Sequence, residues 1–171
     1  RIRGINPNRI RTELALGRIV IIAGFQGHSE TGEVTTLGRG GSDTSAVAVA
    51  VALEAEQCEI YTDVEGIYTT DPAITDSARK LHMINFEEML EMASLGAKMN
   101  PRSIELAALY DMPLYVASTF SRVNGTFIHG DTKIMEERKA VTGIAVDRNV
   151  SKISVLGVMD RPGVAAGLLK P

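Results

Sequence analysis

The sequence has few of the features that mark secreted, membrane or nucleic-acid-binding proteins. Its one cysteine, Cys58, cannot form an intramolecular disulfide, so we expect a reducing, cytoplasmic compartment. Its longest apolar runs, 46–53 and 19–25, are much shorter than the roughly 20 residues that span a bilayer, so no membrane association is expected. The 18 basic residues are interspersed with 21 acidic ones and form no stripe, which argues against nucleic-acid binding.

The predicted elements alternate between strands and helices. The run Ile19–Phe25 is continuous, apolar and β-branched, which is typical of a strand buried on both faces of a parallel sheet. The run Thr44–Gln57 is too long for a typical strand and predicts a largely buried helix. The other expected elements are helices over 7–16, 85–94 and 102–110, strands over 59–62 and 114–118, and a short edge strand over 125–128. This order predicts an α/β domain with a three-layer, mainly parallel sheet and flanking helices.

A glycine-rich polar loop lies between that buried strand and that buried helix. It reads T-T-L-G-R-G-G-S-D over residues 35–43. Gly38, Gly40 and Gly41 allow positive φ angles, so their amides and those of the next helix can face a phosphate. The loop lacks the lysine of a Walker A motif, and Asp43 stands where the dinucleotide fingerprint needs its last glycine. A carboxylate beside phosphates favours phosphoryl transfer, although a tight turn with a helix cap explains the same residues.

Two further segments fit the same kind of site. Residues 62–68 leave a predicted strand at the sheet edge, where Asp63 and Tyr68 could contact a nucleotide base or simply form an exposed turn. Lys98 follows a predicted helix end, where it could reach a phosphate or complement the helix carboxyl end. The three histidines show no metal-ligand spacing, and no direct metal ligand is assigned.

Four segments occur in the order, and near the spacing, of one enzyme family. They are residues 24–27 (G-F-Q-G), 35–43, 61–72 (Y-T-D-V-E-G-I-Y-T-T-D-P) and 94–98 (S-L-G-A-K). On these segments the chain resembles the aspartate kinase family of the amino-acid kinase superfamily. The resemblance implies phosphate transfer from ATP, with Mg²⁺, to the β-carboxylate of L-aspartate, a step toward lysine, threonine and methionine.

The resemblance also implies a role for each matching residue. Arg39 grips a carboxylate of aspartate through its planar fork, and Phe25 offers backbone groups to the same substrate. Ser42, Asp43 and Lys98 stand at the phosphates as the catalytic set. The implied ATP-binding residues are Gly40, Gly41, Thr62, Asp63 and Tyr68.

The end of the chain resembles the beginning of an ACT domain, the amino-acid-sensing module of this family. The turn 160–163 (D-R-P-G) matches its effector loop, with Asp160, Gly163 and Val164 as implied contacts. The resemblance implies feedback by lysine or threonine, and ACT pairing in a homodimer or larger oligomer. Charged residues without apolar periodicity indicate a linker over 134–140, so we predict domains at 1–133 and 141–171, the latter starting with strands over 141–146 and 152–158.

The sequence departs from the family pattern at three places. The family's amino-terminal lobe, with its Lys-Phe-Gly-Gly segment, does not occur, so we expect a piece of a longer protein whose activity needs that lobe. Ala73 replaces the usual arginine after Asp-Pro, and 99–101 (M-N-P) is one residue shorter than usual. The alternatives are a uridylate or glutamate 5-kinase, disfavoured by Arg39 and the ACT-like tail, and a regulatory subunit, which would start near Met135.

Overall fold

Four helices and six short strands make up the regular structure of the described residues. The computed structural model describes residues 2–130, 141–146 and 151. In chain order the elements are α1 (Asn8–Ala15), β1 (Gln26–His28), β2 (Val34–Thr36), α2 (Gly41–Leu53), β3 (Cys58–Thr62), β4 (Met83–Asn85), α3 (Phe86–Ser94), α4 (Pro101–Leu109), β5 (Leu114–Ser118) and β6 (Thr126–His129). No helix among these described residues is long and apolar enough to span a membrane.

A four-stranded sheet in the order β3-β5-β6-β4 carries the core. The pairs β3/β5 and β4/β6 are parallel, whereas β5/β6 is antiparallel. The α/β class and the mainly parallel sheet with flanking helices are therefore confirmed. The expectation that 125–128 forms an edge piece is wrong, because β6 lies between two strands. Its Thr126 and Ile128 are fully buried.

The helices begin and end close to their sequence signals. Helix α2 starts earlier than predicted, at Gly41, and ends before Glu54, which adopts a left-handed φ of 57°. Helix α3 begins after Asn85, whose side chain accepts a hydrogen bond from the Glu88 amide at 2.7 Å, as the capping pattern predicted. Buried side chains from α2, α3, α4, the sheet and the connecting loops form one core, to which α1 contributes none: Val47, Ala50, Cys58, Ile67, Ile84, Phe86, Met89, Met92, Ala93, Met99, Ile104, Ala107, Met112, Leu114, Val116 and Ile128.

The predicted buried strand over Ile19–Phe25 is wrong. The segment has no strand partner among the described residues, and Ile19 and Ile21 are 93% and 94% exposed. A strand needs a neighbour to accept its ladder hydrogen bonds, and a buried strand also needs layers on both faces. The loop that follows contains an unpredicted antiparallel hairpin, β1 with β2.

The segment 141–146 is not the strand that the sequence analysis predicted. It packs in irregular conformation against the loop after β3, with the Ile144 amide donating to the Thr69 carbonyl at 2.7 Å. The predicted linker over 134–140, the strand over 152–158 and the effector loop lie outside the described residues. The domain boundaries at 133 and 141 therefore stay predictions.

Candidate functional site at the start of helix α2

The glycine turn before α2 has a backbone that only glycines fit well. Gly38 and Gly40 have φ angles of 85° and 71°, in the left-handed region. A Cβ on Gly40 would collide with the Asn100 side chain, and one on Gly41 would lie 3.2 Å from the Phe25 ring. The turn is therefore tightly packed, with Phe25 and Asn100 against it.

The first turn of α2 presents main-chain amides and one carboxylate. Gly40 is the N-cap and has no side chain to accept from the helix amides, so this end of the helix can receive an anion. Ser42 is exposed and Asp43 is half-buried in the same turn. Burial raises the pKa of Asp43 above its usual value, and a hydrogen bond from the Asn100 amide opposes this rise.

Asn100 joins the glycine turn to helix α4. Its side-chain amide donates to the Arg39 carbonyl at 3.0 Å, and its side-chain oxygen accepts from the Arg102 amide at 2.9 Å. Its main-chain amide lies near the Asp43 carboxylate and acts to lower the pKa of that group. The Arg39 main chain and the Asp43 carboxylate therefore both lie near Asn100, the residue that caps α4.

Arg39 and Phe25, the predicted aspartate contacts, stand at the exposed side of the turn. The Arg39 side chain is exposed, and an open concavity lined by Thr36, Leu37 and Ser45 borders the turn. Phe25 has a left-handed φ of 68°, and its amide donates to the Ser45 hydroxyl at 3.0 Å. Its carbonyl accepts from the Leu37 amide at 2.9 Å, so only the second lone pair of that carbonyl is left for a substrate donor.

A second group of predicted residues lies at the carboxyl end of β3. The Thr62 hydroxyl donates to the Asp63 carboxylate at 3.1 Å, and Lys98 Nζ lies 3.5 Å from both Asp63 oxygens. The hydrogen bond from Thr62, with the nearby Lys98 ammonium, lowers the pKa of Asp63. Lys98 and Asp63 are 62% and 68% exposed, and exposed ion pairs of this kind are weak. Lys98 can therefore exchange Asp63 for a phosphate at little cost.

Tyr68 lies farther along the loop after β3. Its hydroxyl donates to Glu65 at 3.3 Å, and Glu65 also lies 3.5 Å from Lys80. Burial, with the Glu65 carboxylate nearby, raises the pKa of Tyr68. Tyr68 and Lys98 line one cavity of about 180 Å³, so the structure brings these two predicted residues to one concave surface.

Comparison with known proteins identifies the group to which this geometry belongs. A family model described as the amino acid kinase family matches residues 1–118. The chain belongs to the amino acid kinase family. It is similar to the aspartate kinase of Pseudomonas putida, with 51% identity over 172 residues that cover 100% of this chain and 42% of that protein. The chain thus spans less than half the length of this curated relative.

Two solved structures of kinases in this family extend the comparison. E. coli aspartokinase III in complex with aspartate and ADP matches at 40% identity and a TM-score of 0.68, over 74% of this chain and 29% of that chain. The same enzyme in complex with lysine and aspartate matches at 38% identity and a TM-score of 0.64, with the same coverage.

For an amino acid kinase, the structure adds one residue that the motifs missed. Asn100 lies in the segment that is shorter than the usual family pattern, yet it holds both Arg39 and Asp43. An asparagine directly before a proline is a standard helix start, and this signal could have identified Asn100 as the cap of α4. Because Lys98 is only two positions away, the α3–α4 connection links the glycine turn to the Asp63 group.

The described residues contain no cluster of three acidic, histidine or cysteine side chains that could hold a metal ion by itself. Mg²⁺ in phosphoryl-transfer sites is held by one or two carboxylates together with the substrate phosphates. Asp43 and Asp63 are carboxylates that fit this sparse type of site. Ala73, at the position of the usual arginine, donates its amide to Asp71 at 2.9 Å and offers no charge to a phosphate.

Proposed function

We propose that this protein transfers the γ-phosphoryl group of ATP to the β-carboxylate of L-aspartate, giving 4-phospho-L-aspartate. The observation that supports the proposal is the Asn100 connection, because the Asn100 side chain bonds to the Arg39 carbonyl of the glycine turn and Lys98 is only two positions earlier in the chain. Similarity to aspartate kinases and to an aspartokinase bound to aspartate and ADP supports this choice of substrates.

The chemistry needs positioning more than it needs a base. The β-carboxylate of aspartate has a pKa of about 3.9, so it is already an anion at neutral pH. One of its oxygens forms a bond to the γ-phosphorus while the bond to the β,γ-bridging oxygen breaks, and ADP leaves. Both reactants are anionic, so the main task of the site is to neutralise charge and hold the reactants in line.

Different residues of this chain neutralise charge and hold the reactants in line. The amides of Gly40 and Ser42 face the phosphates, whereas the Gly41 amide donates to the Gly38 carbonyl at 2.9 Å and Gly41 lines the ATP site through its backbone. Lys98 leaves Asp63 to neutralise the charge that develops on the phosphates. Arg39 holds a carboxylate of aspartate through its two-pronged guanidinium, with a Phe25 main-chain group beside it. Asp43 orders the phosphate end of the site. Mg²⁺, when bound, supplies further neutralisation of the phosphates.

The nucleotide itself lies along the loop after β3. We place Thr62 and Asp63 beside the ribose or phosphates and Tyr68 beside the base. We also propose a lysine or threonine effector site at Asp160, Gly163 and Val164, in a cytoplasmic homo-oligomer that starts lysine, threonine and methionine synthesis. The aspartokinase bound to lysine supports an amino-acid effector of this kind.

The test is phosphate transfer by the complete protein to aspartate, glutamate and UMP, measured as ADP release. We expect transfer to aspartate alone. Asp43→Ala should lose turnover at least about 100-fold, because a group that orders the reacting phosphate acts in the transition state. Circular dichroism and urea unfolding check that this variant still folds. Wild-type turnover in Asp43→Ala, or transfer to UMP, would contradict the proposal.

Substitutions of Arg39 test the binding site of aspartate, the phosphoryl acceptor. Arg39→Ala should raise the KM for aspartate about 10-fold or more and leave the KM for ATP nearly unchanged, because the lost contact is a charged hydrogen bond to the acceptor. Arg39→Lys is the matched control, since it keeps the charge but removes the fork. An unchanged KM for aspartate in Arg39→Ala would remove Arg39 from the site.

A further inference from the structure

One cavity is closed by a segment that belongs to neither group of site residues. The cavity of about 180 Å³ lies between the loop after β3 and the end of α3. Tyr68 and Pro72 line one side, Leu95 and Lys98 another, and Ile144 and Val146 close it. Pockets that enclose a whole drug-sized ligand measure about 300–1,000 Å³, so this cavity fits one ring-sized part of a ligand.

Specific contacts hold the closing segment in place. The Ile144 amide donates to the Thr69 carbonyl at 2.7 Å, and the Thr142 hydroxyl donates to the Glu88 carboxylate at 2.7 Å. Gly143 lies so close to Met92 that a Cβ there would come within 2.9 Å of the Met92 sulfur. The segment is therefore seated on α3 and on the loop that carries Tyr68.

The two apolar side chains of this segment are only partly covered. Ile144 is 61% exposed and Val146 is 49% exposed, although both face the cavity. A flat apolar ring in the cavity would cover more of these side chains and would be favoured for that reason. Lys98 stands at the same cavity, and its ammonium suits the anionic part of such a ligand.

We propose that Ile144 and Val146 form one wall of the pocket for the base of the nucleotide. The inference rests on the proposed function only for the identity of the ligand as a nucleotide. The base lies between this wall and Tyr68, and the phosphates extend past Lys98 toward the start of α2. Nucleotide binding and seating of residues 141–146 then favour each other, because each covers surface of the other.

The first test is equilibrium binding of ADP to the complete protein by titration calorimetry. Ile144→Ala and Val146→Ala should each weaken ADP binding about 5- to 10-fold, since a lost apolar contact in a pocket is worth roughly tenfold in affinity. Both positions are substantially exposed, so these variants should fold. Val141→Ala is the matched control, because Val141 is 64% exposed and does not line the cavity.

The second test needs no variant. Hydrogen exchange at the Ile144 amide, which donates to Thr69, should slow when ADP is added to the complete wild-type protein. Unchanged exchange, or protection by lysine and not by ADP, would overturn the inference. If Ile144→Ala and Val146→Ala both bind ADP as tightly as the wild type, the inference is also overturned.

The two proposals fail in different ways. A protein that binds ADP through Ile144 but transfers no phosphate to aspartate would overturn the proposed function and support the wall. A protein that phosphorylates aspartate, but whose ADP affinity is unchanged in Ile144→Ala and Val146→Ala, would support the proposed function and overturn the proposed wall. The KM for aspartate gives a further check, because it should not change in either variant.

Discussion

Two segments that were both predicted to be strands differ completely in burial in this protein. Residues Leu114–Ser118 form β5, lie between β3 and β6, and include Leu114 and Val116 at 0% exposure. Residues Ile19–Phe25 have no strand neighbour in the described chain, and Ile19 and Ile21 are almost fully exposed. An apolar composition thus indicates that a segment is suited to burial. Whether the segment is buried depends on the strands and helices that lie next to it.

The difference separates two kinds of constraint on the chain. Around β5, each side chain meets other buried groups, and the register with β3 pairs Leu114 with Cys58 and Val116 with Ile60. Around Ile21 nothing in the described chain fixes a register. Substitutions should therefore be costly in the first segment and nearly neutral in the second.

The largest expected effect is a core truncation in β5. Leu114→Ala should lower the free energy of unfolding by about 2–5 kcal/mol, because it removes buried methyl groups and leaves a cavity. Ile21→Ala is the matched control and should change it by less than about 0.5 kcal/mol, since Ile21 is 94% exposed. Urea unfolding of this 171-residue chain measures both. A loss in Ile21→Ala close to that in Leu114→Ala would mean that the first segment is buried in the protein measured.

A smaller effect is expected from a buried hydroxyl that links β6 to the loop after β3. The Thr126 hydroxyl accepts from the Ile67 amide at 2.9 Å and donates to the Leu81 carbonyl at 2.6 Å. Thr126→Val leaves the Ile67 amide and the Leu81 carbonyl without this partner and should lower the free energy of unfolding by about 1–3 kcal/mol.

The comparison residue is in the hairpin. Thr35→Val removes a similar bond, from the Thr35 hydroxyl to the Gly27 carbonyl at 3.2 Å, but at an exposed position where water replaces it. Thr35→Val should change the free energy of unfolding by less than about 0.5 kcal/mol. Equal losses in Thr126→Val and Thr35→Val, measured by urea unfolding, would contradict the contrast between sheet and hairpin.

The same contrast explains which parts of the fold could be predicted. The strand over 114–118 and the helix capped by Asn85 follow from local signals, namely an apolar run and a capping pattern, and both are confirmed. The order of strands does not follow from local signals, so β6 was placed at an edge although Thr126 and Ile128 are buried inside. The irregular packing of Val141–Val146 depends on Thr69 and Glu88, which are distant in sequence.

The candidate site shows the same limit. The motif predicted the glycine turn, and the structure supports its positive φ angles at Gly38 and Gly40. The motif did not predict that Asn100 holds that turn, because this contact joins positions 61 residues apart. The roles of Arg39 and Asp43 remain predictions that only substrate kinetics can test.

The smallest and most local effect concerns the single cysteine, Cys58, which begins β3 beside Leu114. Cys58 is 6% exposed, and burial, with the Asp43 and Glu59 charges, raises its pKa to about 11. Only the thiolate reacts with alkylating reagents, and at pH 8 about one thiol in 1,000 with this pKa is ionised. Iodoacetamide labelling of folded protein should therefore be at least about 100-fold slower than labelling in urea.

A matched probe in the exposed segment completes the comparison. Ile21→Cys in a Cys58→Ala background should label at close to the rate of an unfolded thiol, because Ile21 is 94% exposed. Opening of β3 would expose Cys58 and return its thiol to an ordinary pKa, so the labelling rate of Cys58 sets an upper limit on how often the sheet unfolds locally. Equal labelling rates at the two positions would show that β3 opens as readily as the segment without a partner strand. The sheet would then not be the stable part of this chain.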